Sequence, residues 1–292
     1  MPSAALRNVL SRPEGVGARD PHSAGMLEAA VDATLVCRFN DLEDVRETLT
    51  RHVEDVAAII VEPVAHNSPG LLPRPGFLEG LRQLCHQTGT LLIFDEVITG
   101  FRHHIGGYQA VSGVMPDLTT MGKAIANGFP LAAVGGRREY MERYTTTADG
   151  DVHYGGTYNG NAAAVEAGLA TIELLEDGSV HEHLFKLGDR MRTGLAEVAA
   201  RVGVPAVVGG FGSLFVLCFM DGPLETYEDV LRNDDALFGR YRRELIKRGV
   251  FEMPESLGRS HIGAAHTTDD VDRSLEAAEE ALRAAVDALA RA

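Results

Sequence analysis

The chain has 292 residues, 45% of them hydrophobic and 24% charged, with a formal net charge of −15. That length and balance describe a globular protein of one large or two medium domains, able to bury a core without disulfides or metals. The acidity argues against a nucleic-acid binder, whose footprint would be basic. Cys37, Cys85 and Cys218 are odd in number and far apart, with no CxxC pair, which fits a reducing compartment rather than a secreted disulfide scaffold. No apolar run approaches the length of a membrane span; the longest informative one is LFVLCFM, 214–220. The N-terminal MPSAALRNVLSRPEG is too short in apolar residues for a signal peptide, so a soluble cytoplasmic protein is expected.

Residues 1–25 carry Pro, Gly and Ser without a sustained apolar period and read as irregular. FNDLEDVRETLTRH then reads as a capped helix, with Asn40 or Asp41 as the cap and Leu42, Val45 and Leu49 on one face. AAIIVE, 57–62, is a continuous apolar run, the pattern of a strand covered on both faces. GFLEGLRQLCHQTG, 76–89, sets Phe77, Leu81, Leu84 and Cys85 at helical spacing and ends on Gly89. TLLIFDE follows as the next strand, so strand, helix and strand make a βαβ unit and a parallel pair.

LAAVGG, 131–136, predicts another short buried strand. NAAAVEAGLATIELLEDG, 161–178, predicts a helix with Val165, Leu169, Ile172 and Leu175 on one face and Gly178 beyond its end. Charged amphipathic segments then surround the strand at 214–220. A final helix opens at the capping box Thr267-x-x-Asp270 and presents Val271, Leu275, Ala278, Leu282, Val286 and Leu289 on one face. The expected division is a parallel α/β part over 1–160 and a smaller α+β part over 161–292.

Ligands of an open parallel sheet bind beyond the carboxyl ends of its strands. Two runs place acids there: Glu62 after AAIIV and Asp95 after LLIF. Buried strand-end acids also serve as caps and loop anchors, so the acids alone decide nothing. The chain has three lysines, and Lys186 and Lys247 lie in charged helical settings. Lys123 follows a glycine in the polar-poor stretch PDLTTMGKAIANGFPLAAVGG; it is either a loop charge or a desolvated amine suited to nucleophilic work. A phosphate-loop reading of Gly122-Lys123 fails, because the pattern needs glycine where Asp117 stands and Ser or Thr where Ala124 stands. No metal site is expected: His181 and His183 diverge on a helix, His103 and His104 are adjacent, and all four read as surface or loop histidines. A nucleophilic lysine paired with a buried strand-end aspartate points instead to pyridoxal 5'-phosphate. There the lysine holds the cofactor aldehyde and the aspartate keeps the pyridine nitrogen protonated.

LLIFDEVITGFR, GVMPDLTTMGKAIANGFPLAAVGG and GGTYNGN together resemble the class III (subgroup II) aminotransferases, nearest the members like glutamate-1-semialdehyde 2,1-aminomutase. The similarity runs from HSAG, 22–25, through EPVAHN to AAHTTDDVDRSLEAAEEAL. It implies the α/β fold type I of pyridoxal-phosphate transferases, with an incomplete parallel-rich sheet domain and a C-terminal α+β domain. It also implies aminotransferase or aminomutase chemistry on an amino acid or amino aldehyde. By this resemblance Lys123 is the Schiff-base lysine, Asp95 the pyridinium partner and Val97 the apolar residue on one ring face. Asn67 lies near the ring hydroxyl. Thr157 reaches the phosphate of the neighbouring subunit, which implies a homodimer with shared sites. Glu62 and Glu96 are expected to be structural supports.

Members of this family are longer at the N-terminus, where a glycine- and Ser/Thr-rich phosphate loop and a ring-stacking aromatic are expected; residues 1–25 contain neither. His66 replaces a glycine of the aminomutase-like pattern, AIANGFP replaces a more glycine-rich stretch, and MPESLGRSH lacks the acidic residue that the aminomutase-like pattern leads one to expect around Gly258. A shortened, non-catalytic homologue that keeps the fold and dimer surface is therefore the alternative. A metal-dependent hydrolase built on Asp95, Glu96 and His103 ranks third.

Overall fold

The computed structural model describes residues 25, 27–52, 55–145 and 148–290, so the stretch expected to be irregular lies, Gly25 apart, outside them. They fall into two units. One comprises Asp41–Pro63 and Pro75–Ser179; the other takes Val64–Arg74, the chain from Val180 onward and the described residues up to Asn40.

The first unit opens with helix α1, Leu42–Arg51, whose start is set by Asp41 accepting the Asp44 N–H. Strand β1 (Ala58–Val61), helix α2 (Phe77–Thr88) and strand β2 (Leu91–Glu96) follow as the expected βαβ unit, and β1 and β2 pair in parallel. Helix α2 ends on Gly89 in the left-handed conformation, the stop its sequence announces. Helix α3 (Gly107–Ser112), strand β3 (Leu118–Met121), strand β4 (Ala133–Gly136) and helix α4 (Ala162–Leu175) complete the unit. The sheet runs β1-β2-β3-β4, with β2 and β3 parallel and β4 antiparallel to β3.

Strand β2 is central, and its Leu92 and Phe94 are wholly buried. Strand β1 is not covered on both faces as expected: it lies at the edge of the described sheet, and Ile60 is exposed. Strand β4 is likewise half-covered, with Val134 exposed. Helix α4 forms where predicted but turned about its axis. Ala164, Gly168, Thr171 and Leu175 are buried, while Val165 and Leu169 are exposed. A Cβ at Gly168 would stand 2.7 Å from Leu131 Cδ2, so the helix lies against its neighbour through small residues rather than large ones.

At the amino end of the sheet, buried Asp117 ties β2 to β3. Its Oδ2 accepts the Leu92 N–H (2.7 Å) and Arg82 Nη1 (2.7 Å), and its Oδ1 accepts Arg137 Nη1 (3.1 Å). Burial alone would raise its pKa. The Leu92 amide and the two guanidinium groups outweigh that and hold the carboxyl below the usual range.

The second unit is built on helix α5 (Ser179–Val202), strands β5 (Val207–Gly209) and β6 (Leu214–Cys218), helix α6 (Asp235–Lys247), strand β7 (Ser260–His261) and helix α7 (Thr268–Ala290). The strands form an antiparallel sheet in the order β5-β6-β7, the α+β arrangement expected here. Helix α7 opens on the expected reciprocal cap, with Asp270 Oδ2 accepting the Thr267 N–H and Thr267 Oγ1 accepting the Asp270 N–H. Val271, Ala278 and Leu282 are buried as predicted, joined by Ala277, Ala281 and Ala285, whereas Leu275 and Val286 are half-buried. The side chain of Leu289 lies outside the described set. The core holds Leu187, Leu195, Phe219, Tyr241 and Leu245, with Phe219 and Tyr241 edge to face at 5.5 Å. Beside it, Glu252 Oε2 is buried without a hydrogen-bond partner, and Oε1 takes only the Ser260 hydroxyl at 3.5 Å. Burial pushes the Glu252 carboxyl up to about 7 against the opposing pull of Ser260 and Arg242. Among the described residues no helix is long and apolar enough to cross a membrane.

Candidate active site

The parallel register of β2 and β3 sets Asp95 beside Thr120 and Glu96 beside Met121, at the carboxyl ends of both strands. Asp95 is 9% exposed. Its Oδ1 accepts the Val97 N–H at 3.1 Å and the Thr120 hydroxyl at 3.3 Å. Both bonds fall on one oxygen, and Oδ2 takes neither. Successive side chains of a strand point to opposite faces, so Glu96 turns the other way. It is fully buried and accepts Thr99 Oγ1 (2.8 Å), the Tyr108 N–H (2.5 Å), the Gln109 N–H (3.1 Å) and Gln109 Nε2 (3.1 Å). Two of those donors are backbone amides in the first turn of α3. They supply the donor count that a buried carboxylate needs. Glu96 is thus the support expected of it, closing the loop 97–106 onto the end of β2.

Lys123 lies two residues beyond β3 and begins a single 3-10 turn, Lys123–Ile125. Its backbone is left-handed (φ +49°), an uncommon state for a side-chain-bearing residue and one that gathers at functional positions. The buried Ala124, Ile125 and Ala126 fix the turn behind it. The lysine itself is exposed, so the described residues do not desolvate it, contrary to the buried-amine alternative. Val97 is half-buried, and its side chain lies against the backbone of Gly122, the residue before the lysine.

The remaining expected residues lie on other segments of the chain. Thr157 sits in an exposed turn of the first unit. Asn67 belongs to the second unit, where its Oδ1 accepts Arg259 Nη1 at 2.6 Å. Glu62 is buried just beyond β1. Of the four histidines, His103 is buried in its loop, and His181 is buried on α5 rather than at a surface or loop position. Among the described residues no three His, Cys, Asp or Glu side chains stand together as metal ligands. Thr120 went unread in the sequence. A pairing of LLIFDE with LTTM brings a threonine beside Asp95, but the register that selects which one is visible only in the fold.

The sequence profile of the family described as class-III aminotransferase matches residues 18–237. The chain belongs to the class-III aminotransferases. Among curated proteins, the glutamate-1-semialdehyde 2,1-aminomutase of Desulforudis audaxviator is 44% identical over 263 residues, covering 90% of this chain and 60% of that protein. The enzyme of the same name from Thermus thermophilus is 43% identical, with 90% and 61% covered. The chain thus spans about three-fifths of the length of these curated relatives. Among solved structures, an omega-transaminase from Sphaerobacter thermophilus superposes with a TM-score of 0.86 at 31% identity, covering 97% of this chain and 70% of that one. The class-III fold expected from the sequence is therefore the fold observed.

Proposed function

We propose that this chain carries pyridoxal 5'-phosphate on Lys123 and serves aminotransferase or 2,1-aminomutase chemistry on an amino acid or amino aldehyde. The observation that carries the reading is the pair at the carboxyl ends of β2 and β3. A buried aspartate keeps one oxygen uncommitted there, and an exposed lysine on a fixed turn follows the neighbouring strand. These residues fit the cofactor's needs. Asp95 supplies an anionic acceptor for a protonated ring nitrogen, Val97 an apolar surface for the ring, and Lys123 a primary amine for the aldehyde. When bound, the cofactor supplies an electron sink that acidifies the Cα–H of an amino acid.

Asp95, itself buried, would hold the proton on the ring nitrogen, because a fixed carboxylate beside a pyridine nitrogen favours its charged form. Lys123, at the mouth of the site, would accept and return the substrate proton. The names of the similar aminomutases support the 2,1-aminomutase form, and that of the Sphaerobacter thermophilus transaminase supports net amino transfer. Thr157, exposed in its turn, is proposed to reach the cofactor phosphate of a second copy in a homodimer. Asn67 is proposed to serve the ring hydroxyl, and the compartment is proposed to be cytoplasmic.

The test is to add the cofactor, reduce with borohydride and map the modified peptide. Label confined to Lys123 is the expected result. Label on Lys186 or Lys247, or none, would overturn the assignment and favour the non-catalytic homologue.

A further inference from the structure

The two threonines of β3 are consecutive, and the fold uses them on opposite faces of the sheet. Thr119 is buried, and its Oγ1 accepts Gln109 Nε2 at 3.3 Å, joining the group around Glu96. Thr120 is half-buried, pairs in register with Asp95, and donates its hydroxyl to Asp95 Oδ1. A strand asks only for a β-branched side chain at such a position, and valine would satisfy it equally. The hydroxyl is what strand formation does not require.

Its consequence is directional. The Val97 amide reaches Asp95 from the same chain two residues on, while Thr120 reaches it from the neighbouring strand. One bond would leave the carboxylate free to turn about its Cβ–Cγ axis. Two donors, one from the loop after β2 and one from β3, both on Oδ1, fix the plane of the group and the identity of the oxygen left over.

We propose that Thr120 is a positioning residue for Asp95: it commits Oδ1 to the protein and so presents Oδ2 to the ring nitrogen. This rests on the cofactor reading above and deepens it, naming the residue that aims the aspartate. Thr120 touches neither cofactor nor substrate in this scheme and acts only through Asp95.

The test compares Thr120→Val, which keeps shape and loses the hydroxyl, with Thr120→Ser, which keeps the hydroxyl and loses the methyl. In the cofactor-free chain, amide hydrogen exchange at Val97, followed by NMR, reports the grip on Oδ1. It should quicken about fivefold or more in Thr120→Val and stay within about twofold of the parent in Thr120→Ser, the loss of one hydrogen bond being of that order. In a titration with pyridoxal 5'-phosphate followed by visible absorbance, Thr120→Val should bind about five- to tenfold more weakly. Thr120→Ser should match the parent, and the borohydride label should stay on Lys123 in both variants.

Unchanged Val97 exchange in Thr120→Val would overturn the proposal. Equal losses in the two variants would also overturn it, because packing rather than the hydroxyl would then be at work. Absence of label in the parent would defeat the cofactor reading alone, since the exchange measurement judges the grip of Thr120 on Asp95 without cofactor.

Discussion

Strands β2 and β3 carry an aspartate at each end of their pairing, and the two are treated in opposite ways. At the amino end, both oxygens of Asp117 are taken by Arg82, Arg137 and the Leu92 amide, and the carboxyl is held as an anion. At the carboxyl end, Asp95 has one oxygen gripped by Val97 and Thr120 and the other left over. Nothing in the residue type separates them. The lesson is that a buried acid with every acceptor filled by the protein belongs to stability. One with an acceptor held in reserve, at the end of a parallel sheet where ligands bind, suits the ligand contact proposed for Asp95.

Four substitutions can break or sharpen that contrast. The largest effect is expected at Asp95. On the proposed reading, Asp95→Asn lowers the rate at which the loaded protein exchanges an amino acid Cα–H for solvent deuterium by about 10³-fold, with little change in urea stability. A comparable loss of stability instead would place Asp95 with Asp117. Asp117→Asn should do the reverse, costing about 3 kcal/mol in urea unfolding because Arg82 is left half-buried without its anion, while the borohydride label stays on Lys123. The folded carboxyl of Asp117 is depressed below its unfolded value. Its stabilisation is therefore present above about pH 4 and is lost as pH falls through the folded value, a loss that Asp117→Asn should remove from the acid-unfolding curve.

Glu252 tests the other extreme, an acid gripped hardly at all. Its folded pKa near 7 lies above the unfolded value, so the folded state binds the extra proton, and stability falls as pH rises from about 4 to 7 and then levels. Glu252→Gln should remove that fall, gaining on the order of 2 kcal/mol at pH 8, read from urea midpoints at pH 5 and pH 8. The smallest effect belongs to Asp41, which caps α1. Asp41→Ala should cost about 1 kcal/mol in the same assay and leave the labelling of Lys123 unchanged.

The elements governed by local rules were legible in the sequence: Asp41 and Thr267 start helices, Gly89 stops one, and LLIFDE is the central strand. The sequence also singled out the two residues of the proposed site, a strand-end acid and a lysine in an apolar setting, which the fold carries at the ends of neighbouring strands. What escaped depended on distance between elements. On α4 the large residues Val165 and Leu169 marked the wrong face, because close approach selects Gly168 and Ala164, which carry almost no hydrophobic signal. The exposure of Lys123 escaped for a related reason, since an apolar neighbourhood in sequence is not an enclosure in space. Thr120 escaped because register between strands is set by the whole sheet.

Gly107 joins the loop after β2 to α3 with a left-handed backbone (φ +71°), and a Cβ there would fall 2.5 Å from Glu96 Oε1. Any side chain at this position would have to evict the carboxylate as well as strain the backbone. The two residues therefore form a lock and its keyhole: in a library of random variants, replacements at Gly107 should survive only beside a shortened partner such as Glu96→Asp. The loop between them could then vary in composition while its two anchor points remain tied to each other.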